Sequence, residues 1–192
     1  VFYGLGLESA NAKALGEDVN IELNSYDETN MRIKVKNLTR QIAKSGGHGL
    51  VATVGVQSNQ FPRAVDLARQ FRKVNIQVAI GGFHVSGCRA MLKEPPADLK
   101  EAMDLGVSLF AGELEGRLEL LLKDAMQKKL KPIYNFLELL PDLGNQPVPF
   151  LPVEFIQRMT GMRTAFDAGR GCPFECSFCT IINVQGHRSR YR

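Results

Sequence analysis

Apolar and polar positions alternate in two rhythms along the chain. Four short β-type runs, 19–23 (VNIEL), 50–56 (LVATVGV), 76–80 (IQVAI) and 107–111 (VSLFA), predict strands. Those at 50–56 and 76–80 are almost wholly apolar, as expected of strands covered on both faces. Between the runs, apolar residues recur at helical spacing. Met31, Val35, Leu38 and Ile42 stripe one helix, with Arg32, Lys34, Lys36 and Arg40 between them. Phe61, Ala64, Val65, Ala68 and Phe71 stripe a second, with Asn59 placed to cap it and Pro62 in its first turn. A short helix is expected near 99–105, and Leu114, Leu118, Leu121, Leu122 and Ala125 stripe a further one. Strands alternating with helices predict an α/β fold with a doubly wound parallel sheet over residues 1–130, whose ligands would sit at the carboxyl ends of the strands.

The rhythm breaks at 131–162, where five prolines interrupt an apolar stretch without a period. This reads as a linker packed across the surface, since disordered segments lack such apolar content. Residues 163–167 (RTAFD) then read as a strand leading into a cysteine-rich loop. Val1–Glu8 resemble the loop and helix start that follow a preceding strand. A first residue other than Met and an uncapped, charged close predict a fragment at both ends.

Composition narrows the class. The 192 residues are 44% apolar and 23% charged, with a net charge of +4. Lys and Arg are dispersed, so no basic block argues for nucleic acid. No apolar run is long enough for a membrane span, and no secretory signal is visible. Three of the four cysteines, Cys172, Cys176 and Cys179, lie within eight residues. That density suits a metal site in a reducing, cytoplasmic setting better than a disulfide framework.

The spacing Cys172-x-x-x-Cys176-x-x-Cys179 lets three thiolates converge on one centre. A 4Fe-4S cluster normally takes four cysteines, so three leave one iron open to a small molecule. The alternative is a cofactor-binding module with a structural zinc, whose fourth ligand would be Cys88, His84 or His187. A redox Cys-x-x-Cys pair would leave Cys172 unexplained. Gly171 and Pro173 suit a bending loop, and Phe178 is placed to shield a cluster from water.

Cys-x-x-x-Cys-x-aromatic-Cys after a predicted strand resembles the radical S-adenosylmethionine superfamily, with Phe178 as the aromatic residue. The resemblance implies that Cys172, Cys176 and Cys179 ligate the cluster, that S-adenosylmethionine binds the open iron beside Phe178, and that its reductive cleavage gives a 5′-deoxyadenosyl radical. It implies a flavodoxin- or ferredoxin-type electron donor and a small-molecule substrate. It also implies that 163–192 are the opening βα unit of a truncated β/α barrel, inactive alone.

The front domain is similar to the cobalamin-binding-type, Rossmann-like domain that often precedes such cores. The likeness rests on element order and on two loops, Gly81-Gly82-x-His84 and Gly112-Glu113-x-Glu115. It implies a cobalamin crevice lined by Gln57, Ser58, Gly81, Gly82, His84, Gly112 and Glu113, and methyl transfer or rearrangement as the reaction. Gly82 stands where the Asp of Asp-x-His-x-x-Gly would be, so histidine ligation of cobalamin is not expected. Read for themselves, His84 is a satisfied loop histidine, Glu113 and Glu115 favour a helix dipole, and the arginines of 186–192 (GHRSRYR) form either a solvated face or a carboxylate or phosphate contact. No Gly-x-Gly-x-x-Gly turn supports a dehydrogenase.

Overall fold

A computed structural model describes residues 15, 21–28, 31–144, 146 and 168–192. Strands β1 (Leu50–Thr53), β2 (Gln77–Gly81), β3 (Ser108–Ala111) and β4 (Ile133–Asn135) form one parallel sheet in the order β1-β2-β3-β4. The register pairs Val51 with Val78, Ile80 with Leu109 and Phe110 with Tyr134. Helices α1 (Val35–Lys44), α2 (Phe61–Arg72), α3 (Phe83–Met91), α4 (Ala97–Asp104) and α5 (Leu118–Met126) fill the connections. A second, two-stranded sheet pairs β5 (Gly169–Arg170) with β6 (Arg190–Tyr191), and α6 (Thr180–Gln185) lies between them.

Because side chains alternate across a strand, each strand feeds two cores. Val51, Val78, Ile80, Leu109 and Ala111 pack with Phe61 and Phe71 of α2, Val85 of α3 and Leu99 of α4, while Val35, Leu38 and Ile42 of α1 cover the edge. The opposite face carries Leu50, Phe110, Tyr134 and Phe136, packed with Leu121 of α5. Helices thus cover both faces of a parallel sheet, as the unbroken apolar runs predicted. Phe61, Phe71, Ile80, Leu99 and Leu109 are fully buried, each contributing roughly 1.5–3 kcal/mol of transfer free energy.

Several boundaries differ from the sequence expectation. Within 19–23, residues 21–23 form no strand, and the other two lie outside the described residues. Gln60, not Asn59, occupies the cap of α2, and its side-chain carbonyl accepts from Gln57 N at 3.0 Å. The apolar stripe from Leu114 overran the helix, which begins at Leu118. Residues 133–135, assigned to the linker, form β4: Tyr134 is buried and its hydroxyl donates to Asp124 at 2.6 Å. Burial, then that carboxylate, pushes the Tyr134 phenol up to about 12. Three residues are too few to show a period, so β4 left no pattern to read. Helix α3 was also unread, because Ser86 and Gly87 interrupt its apolar stripe. Residues 163–167 and Val1–Glu8 lie outside the described residues. The strand found at the cysteine loop is β5, and its partner β6 runs antiparallel, so no second parallel barrel strand occurs among the described residues.

Gly82 holds the β2–α3 turn. Its φ is +145°, and a Cβ there would sit 2.1 Å from Val56 N. Val56 N donates to Gly81 O and His84 N donates to Val56 O, both at 3.1 Å, so the chain after β1 lies directly against this turn. Gly82→Ala is expected to cost ~2–4 kcal/mol by combining backbone strain with a clash no rotamer relieves. A urea titration would measure this, and a midpoint equal to wild type would refute it.

Candidate functional site

The cysteine loop is a closed unit. Gly171 (φ +88°) turns the chain out of β5, and a Cβ there would meet Arg188 O at 2.0 Å. Cys172 N donates to Gly186 O at 3.1 Å, across the base of the loop. Cys179 N donates to Cys176 O at 3.0 Å, and Cys179 occupies the cap position of α6. All three thiols are free, with Cys176 exposed and the other two partly covered. Among the described residues, no three His, Cys, Asp or Glu side chains are grouped closely enough to hold a metal ion. The three free thiols on one loop are nevertheless the donor type that an iron–sulfur cluster takes. Phe178 is 87% exposed and Phe174 70% exposed, so neither covers the thiols.

A buried ionic network fastens this unit to the loop after β3. Arg170 Nη1 donates to Glu113 Oε2 and Glu115 Oε2, both at 2.9 Å, and its Nη2 to Glu115 Oε1 at 2.6 Å. Arg190 grips Glu113 with both terminal nitrogens, Nη1 reaching Oε2 at 3.0 Å. Arg192 Nη2 donates to Glu115 Oε1 at 2.7 Å. The Glu115 side chain is completely buried and that of Glu113 is 5% exposed. Burial pushes the Glu115 carboxyl up, but the hydrogen bond and charge of Arg170, the residue's own backbone amide and Arg192 outweigh it and hold the group below its usual value. Arg190 also donates to Pro141 O at 2.8 Å and Gln185 O at 3.1 Å, tying in the segment after β4 and the end of α6. Removing one partner from such a buried pair costs about 3–5 kcal/mol, because the other charge is left desolvated.

Packing supplies the second attachment. Helix α6 lies on α3, where a Cβ on Gly87 would be 2.9 Å from Thr180 Cγ2. Gly87 therefore allows the helix that follows Cys179 to approach closely.

The residues expected to line a cobalamin crevice are engaged with protein instead. His84 is held between Ser58 Oγ (3.1 Å from Nδ1) and Asp98 Oδ2 (2.8 Å from Nε2), with its ring on Phe61 at 4.4 Å. It is the satisfied histidine that its own surroundings predicted. Gly82 abuts Val56, Gly81 faces Phe110, and Gly112 donates to Ser86 Oγ at 3.0 Å while a Cβ on it would meet Phe136 C at 2.9 Å. Gln57 is exposed, and Glu113 is consumed by arginines. Apart from exposed Gln57, the residues expected to line that crevice are in contact with protein in this arrangement. A cavity of about 350 Å³ lies at the other, amino-terminal ends of the strands, lined by Gly49, Arg72, Gln77, Ser108 and Pro132. Cys88 is partly buried, and burial, then Asp98, pushes its thiol up.

Sequence reasoning missed Arg170 altogether, placed Glu113 in the cobalamin crevice or, with Glu115, at a helix dipole, and gave the arginines of 186–192 either a solvated face or a carboxylate or phosphate contact. The available signal was alternation: Glu113-x-Glu115 and Arg190-x-Arg192 each place two like charges on one side of an extended chain. The ion pairs also give the docking a pH dependence. Glu115 titrates lower folded than unfolded, so its contribution is complete above the unfolded value of 4.5 and is lost as pH falls through the lower folded value. Hydrogen exchange of 168–192 should therefore accelerate, relative to β2 and β3, as pH falls below 4.5; a parallel response throughout would count against it.

Comparison with known proteins gives one curated relative. Over 143 residues the chain is 28% identical to bacteriochlorophyllide d C-8(2)-methyltransferase of Chlorobaculum tepidum, with 71% of this chain aligned. The alignment spans 30% of that enzyme's length. No protein-family model and no solved structure matches. No described helix is long and apolar enough to cross a membrane. The chain is thus distantly similar to part of a methyltransferase.

Proposed function

We propose that this chain belongs to a radical S-adenosylmethionine methyltransferase and carries its cluster-binding loop. The observation that carries the reading is the set of three free thiols, Cys172, Cys176 and Cys179, on one loop of eight residues closed by Cys172 N to Gly186 O. The distant methyltransferase relative supports it. These three cysteines would hold a 4Fe-4S cluster, which supplies the electron that cleaves the sulfonium of S-adenosylmethionine bound at its open iron. The chain's own residues provide a solvent-accessible loop, a closed base and a fixed seat on the α/β domain. Of the candidate fourth ligands for zinc, His84 has both ring nitrogens engaged, by Ser58 and Asp98.

Anaerobic reconstitution tests the proposal. About four irons per chain are expected, with an electron paramagnetic resonance signal that shifts when S-adenosylmethionine is added. Alanine at Cys172, Cys176 or Cys179 should each remove most of the iron, whereas Cys88→Ala should retain it. A colourless protein holding one tight zinc would overturn the reading.

A further inference from the structure

The α/β domain contributes more than a neighbouring fold. The cysteine unit is gripped at its entry by Arg170, two residues before Cys172, and at its exit by Arg190 and Arg192. Both grips converge on two carboxylates two residues apart, in the loop that leaves the carboxyl end of β3. Three guanidinium groups and two carboxylates are withdrawn from water together, with side-chain exposures of 0–16%. Burying charge is a poor way to gain stability, because desolvation offsets most of the attraction. It is a good way to specify one arrangement, because forked guanidinium–carboxylate pairs tolerate little displacement.

We infer that Glu113 and Glu115 are positioning residues for the cysteine loop: they orient its ligands by holding Arg170, Arg190 and Arg192, and touch no cofactor themselves. The inference rests on reading that loop as the cluster site. The strand-end loop expected to face a cofactor is, on this view, the seat of the cysteine unit. Its specificity comes from charge alternation on both partners, Glu113-x-Glu115 against Arg190-x-Arg192, with Arg170 bridging the two carboxylates. Contact between α6 and Gly87 of α3 adds a nonpolar fulcrum beyond Cys179.

The test compares wild type, the double variant Glu113→Gln/Glu115→Gln and the single variant Arg190→Gln, which leaves the α/β domain unaltered. Hydrogen exchange is read on the metal-free protein, and iron content and the paramagnetic signal on the reconstituted protein. Both variants should raise exchange in 169–192 by at least about tenfold without changing β2 and β3. They should also retain less iron and broaden the reduced signal, as a loop with several arrangements would. Unchanged exchange in 169–192 in both variants would overturn the inference. So would an equal rise in β2 and β3, which would assign the carboxylates to the stability of the sheet. Wild type without iron would sink the cluster reading by itself, while the exchange comparison would still decide the docking.

Discussion

Two carboxylates buried among three guanidinium groups determine how the two parts of this protein meet. Glu113 and Glu115 lie where β3 gives way to its loop, and their side chains accept hydrogen bonds from Arg170, Arg190 and Arg192. Apolar packing alone would not select this arrangement, since it tolerates sliding and volume-conserving exchange. Buried charge does not tolerate sliding: a shift of the cysteine unit that separates one pair leaves a carboxylate desolvated and unpaired. The position of Cys172 relative to β3 is therefore coupled to the geometry of the network two residues before it.

The sheet supplies the rigidity this docking needs. β3 is buried along its whole length, with Leu109 and Ala111 in one core and Phe110 in the other. Its carboxyl end is braced by Gly112 against Ser86 of α3 and by the approach of Phe136 after β4. Helix α3, begun at the strained turn of Gly82, receives α6 at Gly87. The same helix thus braces the loop that bears Glu113 and supports the helix that follows Cys179. Of these glycines, Gly87 lies at the join itself, while Gly82 and Gly112 permit close approaches of backbone within the α/β domain.

Much of the α/β domain was legible in sequence because its signals are local. The runs at 50–56, 76–80 and 107–111 are long enough to read as buried strands, and the stripe from Phe61 to Phe71 marks α2 without ambiguity. β4 is three residues long and α3 has a small, partly polar stripe, so neither produces a period; both exist because a neighbour covers them. The strand read at 19–23 shows the converse, since β-type composition at 21–23 lacks a described partner. His84 was legible for its own sake, as a histidine satisfied by local polar groups, and not as a ligand.

Sequence by itself determined the chemistry available: three thiols at fixed short spacing, a parallel α/β scaffold, and alternating charges near the ends of both parts. Those features depend on neighbours along the chain, which spacing records directly. Tertiary structure alone decided what the charges are for. Glu113 and Arg190 are 77 residues apart, and in sequence each looks like a solvated side chain or a helix-end charge. Only folding removes both from water, and removal from water turns a weak surface charge into a group that must have its partner.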